Sequence, residues 1–243
     1  MPSKKGSASL VDKTAAQIID YIQKNKLQPS DKIPTEHTFV ELLNVSRSTL
    51  REAVKLLVSR NILESRQGAG TFVSPKRGIP TDPLGLTFMK GELALSLELI
   101  DVRLLLEPET AALAAVHATE KQLESIEKAC QAVEDRICQG LHYDYEDIQL
   151  HREIAAASGN RVIQNLSPII HSSVHQRISA TTVTSDALRE QTVSEHRRLV
   201  DCIKRHDASG ARYAMIVHLS LNRDYIMQKA RHKGTHKSSD DNV

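Results

Sequence analysis

The 243-residue chain has no tryptophan, and its aromatic residues together make up only 3% of it. So little aromatic surface argues against a β-sandwich and leaves core building to Leu, Ile, Val and Ala, which suit helix on helix. The hydrophobic share of 40% is enough for two modest domains with cores of their own. Long apolar runs are also missing. No window approaches 18 uninterrupted apolar residues, so no membrane span is expected. The opening MPSKKGSASL has lysines but no apolar stretch behind them, which excludes a secretory signal. Cysteine is scarce: Cys130, Cys138 and Cys202 form no C-x-x-C pair, and any disulfide scheme leaves one over. Reduced thiols in a cytoplasmic protein are the simplest expectation.

Net charge is only +2, but it is unevenly spread. Residues 1 to 77 carry 13 Lys and Arg against 7 Asp and Glu, whereas residues 78 to 243 carry 19 against 23. A basic front on an acidic back suggests that the front meets a polyanion. The shift falls at SPKRGIPTDPLG, residues 74 to 85, whose three prolines and two glycines read as a linker. The expected organisation is a first domain over 1–76, a linker over 77–91, a second domain over 92–232 and a disordered polar tail over 233–243.

In NVSRSTLREAVKLLVSRN, residues 44 to 61, Val45, Leu50, Ala53, Val54, Leu57 and Val58 recur at helical spacing. Ser46 is a good N-cap, and Asn61 tolerates the left-handed conformation at which helices stop. Arg47 and Arg51, four residues apart, project together from the front of this helix into solvent. Taken alone they could be a solvated basic face, so their surroundings decide. Upstream, the spacing predicts a helix over about 10 to 26, a turn at QPSDKIP and a short helix in TEHTFVELL capped by Thr35. Downstream, ILESR and TFVS read as two strands joined by QGAG. Three helices and a hairpin describe a winged helix-turn-helix, in which the front of the third helix enters the major groove. That front carries Ser46, Arg47, Thr49 and Arg51. Arginine can bond both acceptors of a guanine edge, and a helix N-terminus favours phosphate. Arg66 and Gln67 at the hairpin tip are placed to lie along the DNA backbone or in the minor groove.

Beyond the linker, helical segments are expected over about 92–118, 120–139, 143–157, 160–182, 186–206 and 208–231, which makes the chain mainly α. Among eleven histidines, spacing picks out four-part sets. Asp147 and His151 in EDIQLH leave the same helix face. His196 and His218 stand eleven residues before and after Asp207; a turn there would bring them to one height across an antiparallel pair. A cage of three histidines and one carboxylate suits Zn²⁺ first, with Ni²⁺, Mn²⁺ or iron as alternatives. By spacing, His142, His171 and His175 are rivals for the same role. Arg103 sits in the apolar LIDVRLLLE, either salt-bridged to Glu107 one turn on or serving as a carboxylate clamp in a pocket.

These residues resemble a known family. KIPTEHTFVELLNVSRSTLREAVKLLVSRNILESRQGAGTFV is similar to the winged-helix domain of GntR-type bacterial transcription regulators. DVRLLLEPETAALAA, DIQLHREIAAASGN, SEHRRLVDCI and IVHLS resemble the FCD ligand-binding domain of the FadR subfamily. The resemblance implies an all-helical, dimerising second domain and a divalent metal held by Asp147, His151, His196 and His218 at the floor of an effector pocket. It also implies small organic or sugar acids as effectors, with Arg103 as an anion partner. For DNA it implies contacts from His37, Arg47, Thr49, Arg51, Gln67 and Gly68. His37 departs from the longer polar residue usual in the family, and Asn61 replaces a frequent glycine.

The expected function is a ligand-responsive repressor of a catabolic operon, acting as a homodimer on a short palindromic double-stranded operator. Two rivals are kept. A metal-dependent enzyme could use such a cage to activate water, although no general acid or base stands at a telling spacing. A regulator with a purely structural metal would release DNA to no small molecule.

Overall fold

The computed structural model describes residues 9–178 and 186–237, which divide into two compact units, Met1–Phe88 and Met89–Val243. In the first, α1 (Leu10–Lys24), α2 (Glu36–Leu43) and α3 (Arg47–Ser59) precede the strands β1 (Leu63–Arg66) and β2 (Gly70–Val73). Each helix begins where a hydroxyl can cap it. Ser9, Thr35 and Ser46 accept from the N–H groups of Asp12, Thr38 and Thr49, replacing partners that a first helical turn lacks. Asn44 ends α2 in the left-handed conformation, at φ 49°, so only Asn44, Val45 and Ser46 separate α2 from α3. Ala15 and Ile18 of α1, Phe39 of α2 and Leu50, Ala53 and Leu57 of α3 bury one core, closed by Ile33, Leu63 and Val73. Burial of side chains such as Leu50 and Leu57 is worth about 1.5–3 kcal/mol each.

Asn61 takes φ 54° after α3, as its place past the helix suggests. Its side chain does more than tolerate the turn: Nδ2 donates to the carbonyl of Ile79 at 3.0 Å, while its own carbonyl accepts from Gly78 N–H at 2.9 Å. The hairpin pairs Leu63 with Val73 and Arg66 with Gly70, leaving Gln67, Gly68 and Ala69 at the tip. Residues 30–33, read from sequence as a turn, also pair with the hairpin: Ile33 N–H donates to the Thr71 carbonyl and Val73 N–H to that of Asp31. This is a winged helix-turn-helix.

The second unit is a helical bundle of α4 (Glu92–His117), α5 (Glu120–Cys138), α6 (Asp144–Ala157), α7 (Arg161–Ile178), α8 (Asp186–Lys204) and α9 (Ala208–Lys237). Its core is almost wholly aliphatic, from Ala111, Ala114 and Ala115 of α4 to Leu199 and Ile203 of α8 and Met215 and Leu219 of α9. Small alanines let α4 sit close to its neighbours, and it packs on α6, α7, α8 and α9. The chain turns between α8 and α9 at His206, φ 57°, and Asp207, whose Oδ1 accepts from Gly210 N–H. Arg197 ties α8 to α5 through Glu127, Gln131 and Glu134, and Lys204 also reaches Glu127. Residues 179–182, expected as helix, lie outside the described residues. One end differs from expectation: the last helix runs to Lys237, five residues into the stretch expected to be disordered. Among the described residues, no helix is long and apolar enough to cross a membrane. Cys130, Cys138 and Cys202 are free thiols, and burial pushes Cys130 up to about 11.

Candidate metal centre and nucleic-acid interface

In the first unit the front of α3 is exposed. Arg47 and Arg51 face solvent, Thr49 is half-buried, and the Ser46 hydroxyl serves the cap and lies 2.8 Å from that of Thr49. Arg51 is held: its Nε donates to Glu36 Oε2 at 2.9 Å, which points the guanidinium along the start of α2. His37 is exposed on α2, with Nδ1 3.6 Å from Glu41 Oε1. At the hairpin tip Gln67 and Gly68 are exposed, and Gly68 has φ 71°, which favours glycine. Arg66 lies over the Phe72 ring at 4.3 Å and bonds Glu64.

The second unit brings its distant polar residues into one buried cluster. Asp147 and His151 come from α6, His196 from α8 and His218 from α9, all 4% exposed or less. The tight turn at Asp207 sets α8 and α9 antiparallel, and the rings of His196 and His218 meet at 4.5 Å. One ligand atom from each of the four lies within 4.8 Å of all the others. Bonds of about 2.0–2.2 Å to a central ion would close that spread with small side-chain movements. The donors fit such an ion. His196 Nε2 is 3.2 Å from Asp147 Oδ1, yet neither of its ring nitrogens has hydrogen-bond geometry, and Nδ1 of His218 is buried without a bond. A buried nitrogen left so costs about 1–3 kcal/mol, which a cation accepting its lone pair would remove.

Burial, then His196 and His151, hold His218 well below the ordinary histidine value. It is therefore neutral, as a metal ligand must be. A histidine kept neutral by the fold takes up protons more readily once unfolded, so its contribution to stability is present above pH 6.5 and is lost as pH falls towards the folded value. Metal-free protein is accordingly expected to melt at progressively lower temperature from pH 7.5 to 5.5, and His218→Gln to flatten that slope. An equal slope in the variant would remove His218 as a cause.

Arg103, 2% exposed, has its carboxylate within the chain. Its Nε donates to Glu107 Oε1 at 2.7 Å and Nη2 to Oε2 at 3.2 Å. Burial raises the Glu107 pKa, but Arg103 and His151 outweigh it and hold the group at about 2. The salt bridge that the four-residue spacing of Arg103 and Glu107 allows is thus present.

One of the rival histidines, outside the favoured set of four, also belongs to this cluster. His171 of α7 is fully buried, stacks on His151 at 4.2 Å and has Nε2 3.4 Å from Asp147 Oδ2. A signal was present: Ile163, Ser167, Ile170 and His171 follow the helical stripe spacing, which puts a histidine in an apolar stripe. His142 is exposed, and the side chain of His175 lies outside the described residues.

Residues 10–73 match the family model described as "Bacterial regulatory proteins, gntR family", and residues 98–221 match that of the FCD domain. The chain belongs to the GntR family of bacterial regulators. Among similar proteins, the "Putative L-lactate dehydrogenase operon regulatory protein" of Escherichia coli K12 is 32% identical over 229 residues, spanning 87% of this chain and 84% of that one. The "Galactonate operon transcriptional repressor" of the same organism is 28% identical over 199 residues, 80% of this chain and 87% of its own. A solved structure, "Streptococcus agalactiae GntR", superposes with a TM-score of 0.80 at 34% identity, covering 88% of this chain and 99% of that one. This GntR-family protein is a transcriptional regulator with a C-terminal FCD domain, and not an enzyme.

Proposed function

We propose that this regulator represses a catabolic operon until a small hydroxy or sugar acid binds at a divalent metal held by Asp147, His151, His196 and His218. The observation that carries this reading is the buried donor set itself, in which both His196 nitrogens and Nδ1 of His218 lack protein hydrogen bonds, while His218 Nε2 pairs with Asn222 Nδ2 at 3.2 Å. Three imidazoles and a carboxylate suit Zn²⁺ first, and Ni²⁺, Mn²⁺ or iron next. When bound, the metal would supply a Lewis-acid seat for an effector's oxygens. The four residues would hold it, and the bundle would keep the site dry. The names of two relatives attach them to L-lactate dehydrogenase and galactonate operons. Lactate and galactonate share an α-hydroxy carboxylate, which can chelate one metal through two oxygens, so this group is the proposed handle.

On DNA, two copies of the chain in a homodimer would read the halves of a short palindrome, with the front of each α3 in the major groove. Arg47 and Arg51 are assigned to bases. The Ser46 and Thr49 region at the helix N-terminus is assigned to phosphate, as are His37, Arg66, Gln67 and Gly68. Effector binding would act through residues 77–91 and α4, and it can release DNA only if it favours the DNA-free arrangement.

The test has two stages. Metal analysis of purified protein is followed by a melting screen of lactate, galactonate and related acids with zinc present, and then by operator release. Stabilisation by one hydroxy acid, with release of operator at the same concentration, is the expected result. Zinc uptake with no acid that releases DNA would leave a purely structural metal.

A further inference from the structure

Resting on the metal reading above, we propose that Glu107 is the positioning residue for the ligand His151, and that Arg103 holds Glu107 in place. Glu107 Oε2 lies 2.7 Å from His151 Nδ1. A carboxylate there accepts the Nδ1 proton, which fixes the tautomer and leaves the lone pair on Nε2. That nitrogen is the one facing Asp147, 3.9 Å from Oδ1. Histidines that bind metals through one nitrogen commonly donate the other N–H to a carboxylate, which sets the ring's orientation and raises its basicity. Arg103 and Glu107 stand four apart on α4 and so leave the same face of that helix. Arg103 bonds both carboxylate oxygens, and all three side chains are 3% exposed or less.

The arrangement argues against a competing role. Glu107, His151 and His171 also place donor atoms within 4.8 Å of one another, which would suggest a second metal seat. Arg103, however, occupies both oxygens of Glu107, and the Nδ1 proton of His151 points at Oε2 in the proposed tautomer, so neither group has a lone pair to spare for a cation there. Pulling Arg103 away from Glu107 would leave a buried carboxylate without its cation, a loss typical of broken buried pairs. Glu107 therefore ties a ligand on α6 to α4, the first helix of the second unit.

The test measures zinc affinity by chelator competition and the ligand-field spectrum of bound Co²⁺. The full chain is compared with Glu107→Gln and with the paired Arg103→Met/Glu107→Leu variant. The pair is included because Glu107→Gln alone strands a buried arginine and could unfold the domain, whereas replacing both ions by apolar groups of similar size is commonly tolerated. Both variants are expected to bind zinc about 10- to 100-fold more weakly than the parent, with altered Co²⁺ bands. The metal-free paired variant should melt close to the metal-free parent, a split that a merely structural pair would not produce. Wild-type zinc affinity and an unchanged Co²⁺ spectrum in the folded paired variant would overturn the positioning role while leaving the metal reading intact. Failure of the parent chain to take up zinc or cobalt would overturn both.

Discussion

His196→Ala is expected to abolish the stabilisation that zinc confers on this regulator, on top of the ordinary cost of emptying a buried ring's space in the metal-free protein. Neither ring nitrogen of His196 has hydrogen-bond geometry in the metal-free state. The substitution removes one of four donors within reach of a single ion. A cation at a thousand times its dissociation constant stabilises the fold by about 4.1 kcal/mol. For a chain of this size each kcal/mol moves Tm by roughly 2–4 °C, so zinc should raise the parent's melting temperature by roughly 8–16 °C. In His196→Ala that rise should vanish, and response of DNA binding to any hydroxy acid should vanish with it. Operator affinity without effector should persist, because the winged helix has its own core. Calorimetry with and without zinc decides the matter: a variant that keeps the full rise would show that His196 is not a ligand.

The second large effect is expected from Arg51→Ala. Glu36 takes the Nε of Arg51, which leaves the two terminal amines of the guanidinium for the O6 and N7 acceptors of guanine. The Arg51–Glu36 pair is exposed, so it contributes little to stability and serves to aim the side chain. Loss of a bidentate base contact costs about 1–3 kcal/mol and relaxes specificity at that base pair. Titration of Arg51→Ala against operator and scrambled duplex should therefore show a loss confined to the operator. Arg66→Ala, at the hairpin tip, should weaken both duplexes alike and lower the salt slope by about 1. An unchanged ratio of operator to scrambled affinity would take Arg51 out of base reading.

The winged helix was legible residue by residue because its signals are local. Ser46 caps α3, Asn61 turns the chain after it and Gln67-Gly68-Ala69 tips the hairpin, each within a few positions of the element it shapes. The His196 and His218 register was legible for a related reason: a single tight turn at Asp207 relates two straight helices, and a helix rises by a constant amount per residue. The pairing that residues 30–33 add to their turn was not legible, because it is a contact with β2 across some forty positions, invisible to periodicity.

From its sequence alone, this protein is determined as two helical units, the first a winged helix with a basic front, the second carrying His196 and His218 at matched heights and Asp147 and His151 on one helix face. Short-range hydrogen bonding and the helical repeat suffice for that. Only the tertiary structure decided that Arg103 closes on Glu107, that Glu107 lies against His151 and that His171 stacks beside it. Those contacts join α4, α6 and α7, whose faces meet only once the core has packed, and no spacing within one helix encodes which side chain of another it will face.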